Sequence, residues 1–108
     1  MILALLLGIA APEDLPAYDD ALRCAALATA QMQVQTRDTP AWRKAWDEAM
    51  FWGMALSERA RKDGLTPARF EADLKATADP MVEPLRAGDA MLRAEHAACA
   101  RRVPPLKP

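Results

Sequence analysis

A chain of 108 residues is the size of one domain and can bury only a modest core. Alanine supplies roughly a fifth of it, and Leu, Glu, Arg and Met are plentiful. The β-branched residues (2 Ile, 3 Val, 5 Thr) nowhere alternate as a strand requires, so composition excludes a β fold and predicts an all-α one. Net charge is −1 with both signs spread along the chain, which excludes the clustered basic face of a nucleic-acid binder and the polybasic stretch of an anionic membrane surface.

Met1–Leu7 is an unbroken apolar run, followed by Gly8-Ile9-Ala10. The run is too short to span a bilayer, which needs about 20 apolar residues. Small residues at 8 and 10 fit a signal-peptidase site, which predicts a signal peptide at 1–10 and export. The run lacks a preceding Lys or Arg and is shorter than the usual ~15–30 residues, as a start codon assigned too late would produce. A short buried N-terminal helix is the alternative. No Cys follows the cleavage position, so a lipid anchor is not expected. The remaining 11–108 is expected to be one helical domain, with an extended tail at 103–108.

Ala11–Pro16 reads as a linker, and a first helix is expected from Pro16 or Ala17 to about Val34. Asp19 and Asp20 sit in its first turn, where the helix dipole favours negative charge. Tyr18, Leu22, Ala25, Thr29 and Met32 recur at three- and four-residue spacing, with Cys24, Leu27 and Ala28 beside them.

Thr39-Pro40 is an N-cap followed by proline in the first turn, and it opens a second helix expected over Pro40–Lys62. Arg59, Arg61 and Lys62 suit its C-terminus, and Gly64 suits the left-handed position beyond it. This segment holds all three tryptophans, so it is expected to be the central helix against which the others pack. Trp42, Trp46, Ala49, Gly53, Leu56 and Ala60 form its expected core stripe. Phe51 and Trp52 fall off that stripe and are the candidate partner surface.

Thr66-Pro67 repeats the start signal for a short third helix ending near Ala78, with Phe70 and Leu74 on one face. Asp79-Pro80 is expected to begin the last segment, with Pro84 forcing a fresh start or an irregular turn and Gly88 weakening the interior. The fourth helix then runs to about Arg102 on a stripe of Leu85, Leu92, Cys99 and Val103.

Two cysteines in an exported chain predict one disulfide, Cys24–Cys99, between the first and last helices. It closes a loop of about 75 residues, for which the chain-entropy account gives roughly 4.5 kcal/mol. No Cys-x-x-Cys is present, so thioredoxin-type redox chemistry is not expected.

Signatures of catalysis are missing. Ser57 is the only serine and His96 the only histidine, with no Gly-rich elbow to build a triad. His96 lies near Cys99 and Glu95, but a zinc site wants three or four ligands. Met50 and Met54 share a face without the companions of a copper site, and methionine is a common core filler. No catalytic, metal or cofactor-binding residue is therefore expected. The expected partner is a protein or an apolar ligand.

Arg23-Cys24, Phe51-Trp52-Gly53 with Leu56, and Cys99 together resemble a loose group of small exported proteins of unknown function from alphaproteobacteria, chiefly sphingomonads. That resemblance implies export and a helical fold and carries no activity. A weaker likeness, resting on architecture alone, is to the periplasmic acid-stress chaperones of the HdeA type, which are also small, helical and held by one disulfide. The expected function is a non-catalytic binding or structural module of the cell envelope, with an acid-stress chaperone as the alternative.

Overall fold

A computed structural model describes residues 15–105. The expected signal peptide at 1–10 and the end of the tail, 106–108, lie outside the described residues. Among the described residues four α-helices follow one another: α1 (Tyr18–Val34), α2 (Pro40–Lys62), α3 (Pro67–Arg86) and α4 (Ala90–Arg101). The fold is the expected all-α, four-helix arrangement, and Cys24 in α1 is bonded to Cys99 in α4 with Cα atoms 5.6 Å apart.

The caps explain most of the boundaries. The Oγ1 atoms of Thr39 and Thr66 accept from the backbone N–H of Trp42 and Arg69, both at 3.2 Å, and proline follows each. Between α1 and α2, Asp38 turns the chain at φ +68°. Gly64, at φ +78°, closes α2: Leu65 N–H reaches Ala60 O at 2.8 Å and Gly64 N–H reaches Arg61 O at 3.2 Å. That pairing satisfies the last carbonyls of the helix in a Schellman arrangement.

The break expected at Asp79-Pro80 is absent. α3 runs through Pro80 and Pro84 to Arg86. Each interior proline removes a backbone donor, a loss of ~3 kcal/mol or more in isolation. Tertiary burial offsets it: Phe70, Leu74, Ala78, Met81 and Leu85 make one unbroken stripe on the core, with Ala78, Met81 and Leu85 fully buried. Gly88 does not weaken a helix interior. At φ +90° it ends α3 by the same Schellman pairing, Asp89 N–H to Pro84 O at 2.9 Å and Gly88 N–H to Leu85 O at 3.1 Å. Asp89 then caps α4 by accepting from Leu92 N–H at 2.9 Å.

The expected central role of α2 is also corrected. α1 is the helix with the most extensive contacts, packing most on α2, then α3, then α4. Ala21, Cys24, Ala25, Ala26, Leu27, Ala28 and Ala30 are all buried, so α1 is enclosed on nearly every side across its middle turns. Its alanines make this possible, because a methyl side chain lets neighbouring helices approach without leaving voids in a close-packed interior. Leu27, Leu56 and Leu85 fill the spaces from three helices, each contributing ~1.5–3 kcal/mol by burial.

Enlarging an α1 alanine should therefore cost stability where enlarging an exposed one does not. Ala26→Leu is expected to lower stability by ~1–3 kcal/mol or more, and exposed Ala41→Leu by less than ~0.5 kcal/mol. Denaturant midpoints measure both, and equal midpoints would contradict the enclosed position of α1.

Candidate functional site

Sequence spacing placed Trp46 inside α2 and left Trp52 for a partner. The structure orders them differently. The buried face is Ala45, Glu48, Trp52, Leu56 and Ala60. Trp52 is 2% exposed, whereas Trp46 is 44% exposed. Both candidate faces share Leu56 and Ala60, and they diverge toward the N-terminus, where the buried one carries Glu48. A charge at a core position hid that register.

Glu48 is buried yet fully partnered. Its Oε1 meets His96 Nε2 of α4 at 2.8 Å, and its Oε2 accepts from Lys44 Nζ one turn earlier. No buried side-chain nitrogen or oxygen among the described residues lacks a partner, as a stable interior requires. His96 is thus an interhelix contact, with Lys44, Ala97, Ala100 and Arg101 around it in a shallow depression. No cluster of three or more His, Cys, Asp or Glu side chains placed to hold a metal occurs among the described residues.

Trp52 sits in a dense set of contacts. Its indole Nε1–H donates to Cys99 O at 3.3 Å, Phe51 meets it edge-on with centroids 5.3 Å apart, and the Arg102 guanidinium lies 4.8 Å from the ring centroid. Edge-to-face pairing and a cation over the ring add ~0.5–1.5 and ~0.5–2 kcal/mol in typical cases. Phe51 is half-buried, and together with Trp52 it lines a groove of about 420 Å³. Leu15, Pro16, Met54 and Ala55 complete its apolar wall, and Glu58 and Arg102 stand at its polar edge. The structure thus brings the two expected residues together in one concavity, with Trp52 as its floor.

Met54, 68% exposed, separates this groove from a second one of about 350 Å³ lined by Ala49, Met50, Gly53, Met54, Ser57 and Glu58. A Cβ placed on Gly53 would meet nothing within 4 Å, so this side of α2 is open. Trp46, Met50 and Met54 follow one another at four-residue spacing and all are exposed, which makes a continuous apolar ridge along the outer side of the helix. Sequence reasoning assigned these methionines to the core because hydrophobicity alone does not separate a core stripe from an exposed one. Leu15, Pro16 and Arg102 join the groove only through tertiary packing.

At the start of α1, Tyr18 Oη donates to Asp73 Oδ2 at 2.7 Å and ties α1 to α3. Burial, then this hydrogen bond to a carboxylate, pushes the phenol up to about 12. The folded value is raised, so the stability it contributes is fully present below pH ~10 and is lost as pH rises toward the folded value.

No helix among the described residues is long and apolar enough to cross a membrane. No family model, curated protein or solved structure matches this chain.

The two tryptophans should separate cleanly. Trp52→Ala is expected to cost ~3–5 kcal/mol and Trp46→Ala less than ~1 kcal/mol, read from thermal or denaturant unfolding. A larger loss at Trp46 than at Trp52 would contradict the observed register of α2.

Proposed function

We propose that the chain is a small exported, non-catalytic binding module of the cell envelope whose α2 face takes apolar groups of a protein partner or an apolar ligand. The observation that carries this reading is the ridge of Trp46, Met50 and Met54 with a groove on either side of Met54. Contiguous exposed apolar surface on a small domain marks interaction sites. Methionine suits such a surface, since its flexible thioether adapts to partners of different shape. Arg102 and Glu58 at the groove edge offer one charge of each sign to orient what binds.

Location in the periplasm or outside the cell is part of the proposal. The Cys24–Cys99 bridge fits an oxidising compartment, the apolar start of the chain fits a signal peptide, and the resemblance to small exported proteins points the same way. Acid-stress chaperone activity is a second reading, and one observation favours it: both interhelix arginine–carboxylate pairs among the described residues join the last helical segment to α1.

A small apolar dye such as anilinonaphthalene sulfonate tests the binding reading. Its fluorescence should rise with the oxidised chain and fall several-fold with Met50→Lys/Met54→Lys, while the melting temperature stays within a few degrees because both side chains are exposed. Equal dye enhancement by both proteins would contradict the assignment of the binding face to α2.

A further inference from the structure

α4 is held to the rest of the molecule differently from the other helices. It contributes one buried residue, Cys99, and among its neighbouring contacts Leu92 and Val103 are only partly buried. By contrast α3 buries Ala78, Met81 and Leu85. The polar ties of α4 are correspondingly many. Arg23 of α1 grips Glu95 with two hydrogen bonds, Nε to Oε2 at 3.0 Å and Nη2 to Oε1 at 2.7 Å. Arg102, the residue after α4, grips Asp20 of α1 at 3.2 and 2.7 Å. His96 meets Glu48 of α2 at 2.8 Å. The other ion pairs among the described residues lie within single helices or at their ends. The acid-insensitive ties are the disulfide and the Trp52 Nε1–H bond to Cys99 O, both at one residue, together with the Arg102 guanidinium over the Trp52 ring and the partial burial of Leu92 and Val103.

We propose that α4 is an acid-released flap: protonation of Asp20 and Glu95 frees it to swing on the Cys24–Cys99 bridge and uncovers Trp52, while α1, α2 and α3 stay packed. The groups facing these carboxylates are Arg102 for Asp20, and Arg23 with neighbouring Asp89 for Glu95. Neutral carboxyls give those cations nothing to pair with, and like charges from Arg23 and Arg102 then accumulate on the α4 interface.

The direction follows from linkage. Hydrogen bonding to Arg102 holds Asp20 below its ordinary value, and hydrogen bonding to Arg23 does the same for Glu95. A depressed folded value means that the contribution is fully present above the ordinary carboxylate range of ~4 and disappears as pH falls through the folded values. Release therefore belongs to pH below ~4. The α1–α3 tie, Tyr18 to Asp73, also involves a carboxylate, but the apolar stripe of α3 remains when it is lost.

Arg102 forms one edge of the apolar groove and covers the Trp52 ring, so the release would also remake that groove. This consequence rests on the groove being a binding site; the release itself does not.

The test uses the oxidised chain carrying Trp42→Phe and Trp46→Phe, which leaves Trp52 as the only tryptophan, with no ligand present. Emission, acrylamide quenching and far-ultraviolet circular dichroism are followed from pH 7 to 2.5. The expected result is a red shift and a several-fold rise in quenching with a midpoint below pH ~4, with helicity retained apart from any fraying of α4. Asp20→Asn/Glu95→Gln, which removes both carboxylates, should give the red-shifted, readily quenched emission already at pH 7. Unchanged emission down to pH 2.5, emission at pH 7 unaltered by the double substitution, or loss of emission and helicity in one transition would each overturn the flap. Dye binding at pH 7 is read separately, so failure of the groove assignment leaves the release result standing.

Discussion

Close packing around α1 is the constraint on which the rest of the structure depends. A helix enclosed on nearly all sides must be thin, and alanine is the side chain that makes it so. Ala21, Ala25, Ala26, Ala28 and Ala30 are all buried, which leaves room for Trp52, Leu56, Met81 and Leu85 to reach the same interior from two other helices. The large side chains on α2 and α3 are useful because α1 is small. The Phe70–Leu85 stripe also explains why α3 continues through two prolines: the apolar contact on either side of Pro80 and Pro84 outweighs the missing backbone bonds.

α4 stands outside this arrangement. Its covalent tie is the strongest part of its attachment, since a loop closed over a sequence separation of 75 is worth roughly 4–5 kcal/mol on the chain-entropy account. Exposed ion pairs such as Arg23–Glu95 typically contribute ~0–1 kcal/mol each. The bridge therefore fixes where α4 is, and the ion pairs fix how it lies. A module built this way has a firm three-helix part and a fourth helix whose seating responds to solution conditions, and the apolar groove lies at the join between them.

Much of the fold was legible in the sequence, for local reasons. Thr39-Pro40 and Thr66-Pro67 mark helix starts because their chemistry acts within three residues. Gly64 marks an end because the left-handed position excludes most side chains. The Cys24–Cys99 pairing follows from there being only two cysteines. What local rules could not supply was which helix lies at the centre, because aromatic weight drew attention to α2 while the enclosed element is the alanine-rich one. The register of α2 was hidden by Glu48, a charge made tolerable in the interior by His96 and Lys44. At the candidate site the sequence singled out Phe51 and Trp52, but it did not show that Trp52 is buried, and the groove walls at Leu15, Pro16 and Arg102 and the exposure of Met54 arise from packing between segments distant in sequence.

Native-state hydrogen exchange of the oxidised chain at neutral pH tests the central claim most directly. Amides in α1 from Ala25 to Ala30 should exchange only through global unfolding and be the slowest in the protein, while those of α4 should exchange through a smaller opening. Slowest exchange in α2, or α4 amides as protected as those of α1, would contradict an account in which α1 is the enclosed strut and α4 is hung on it.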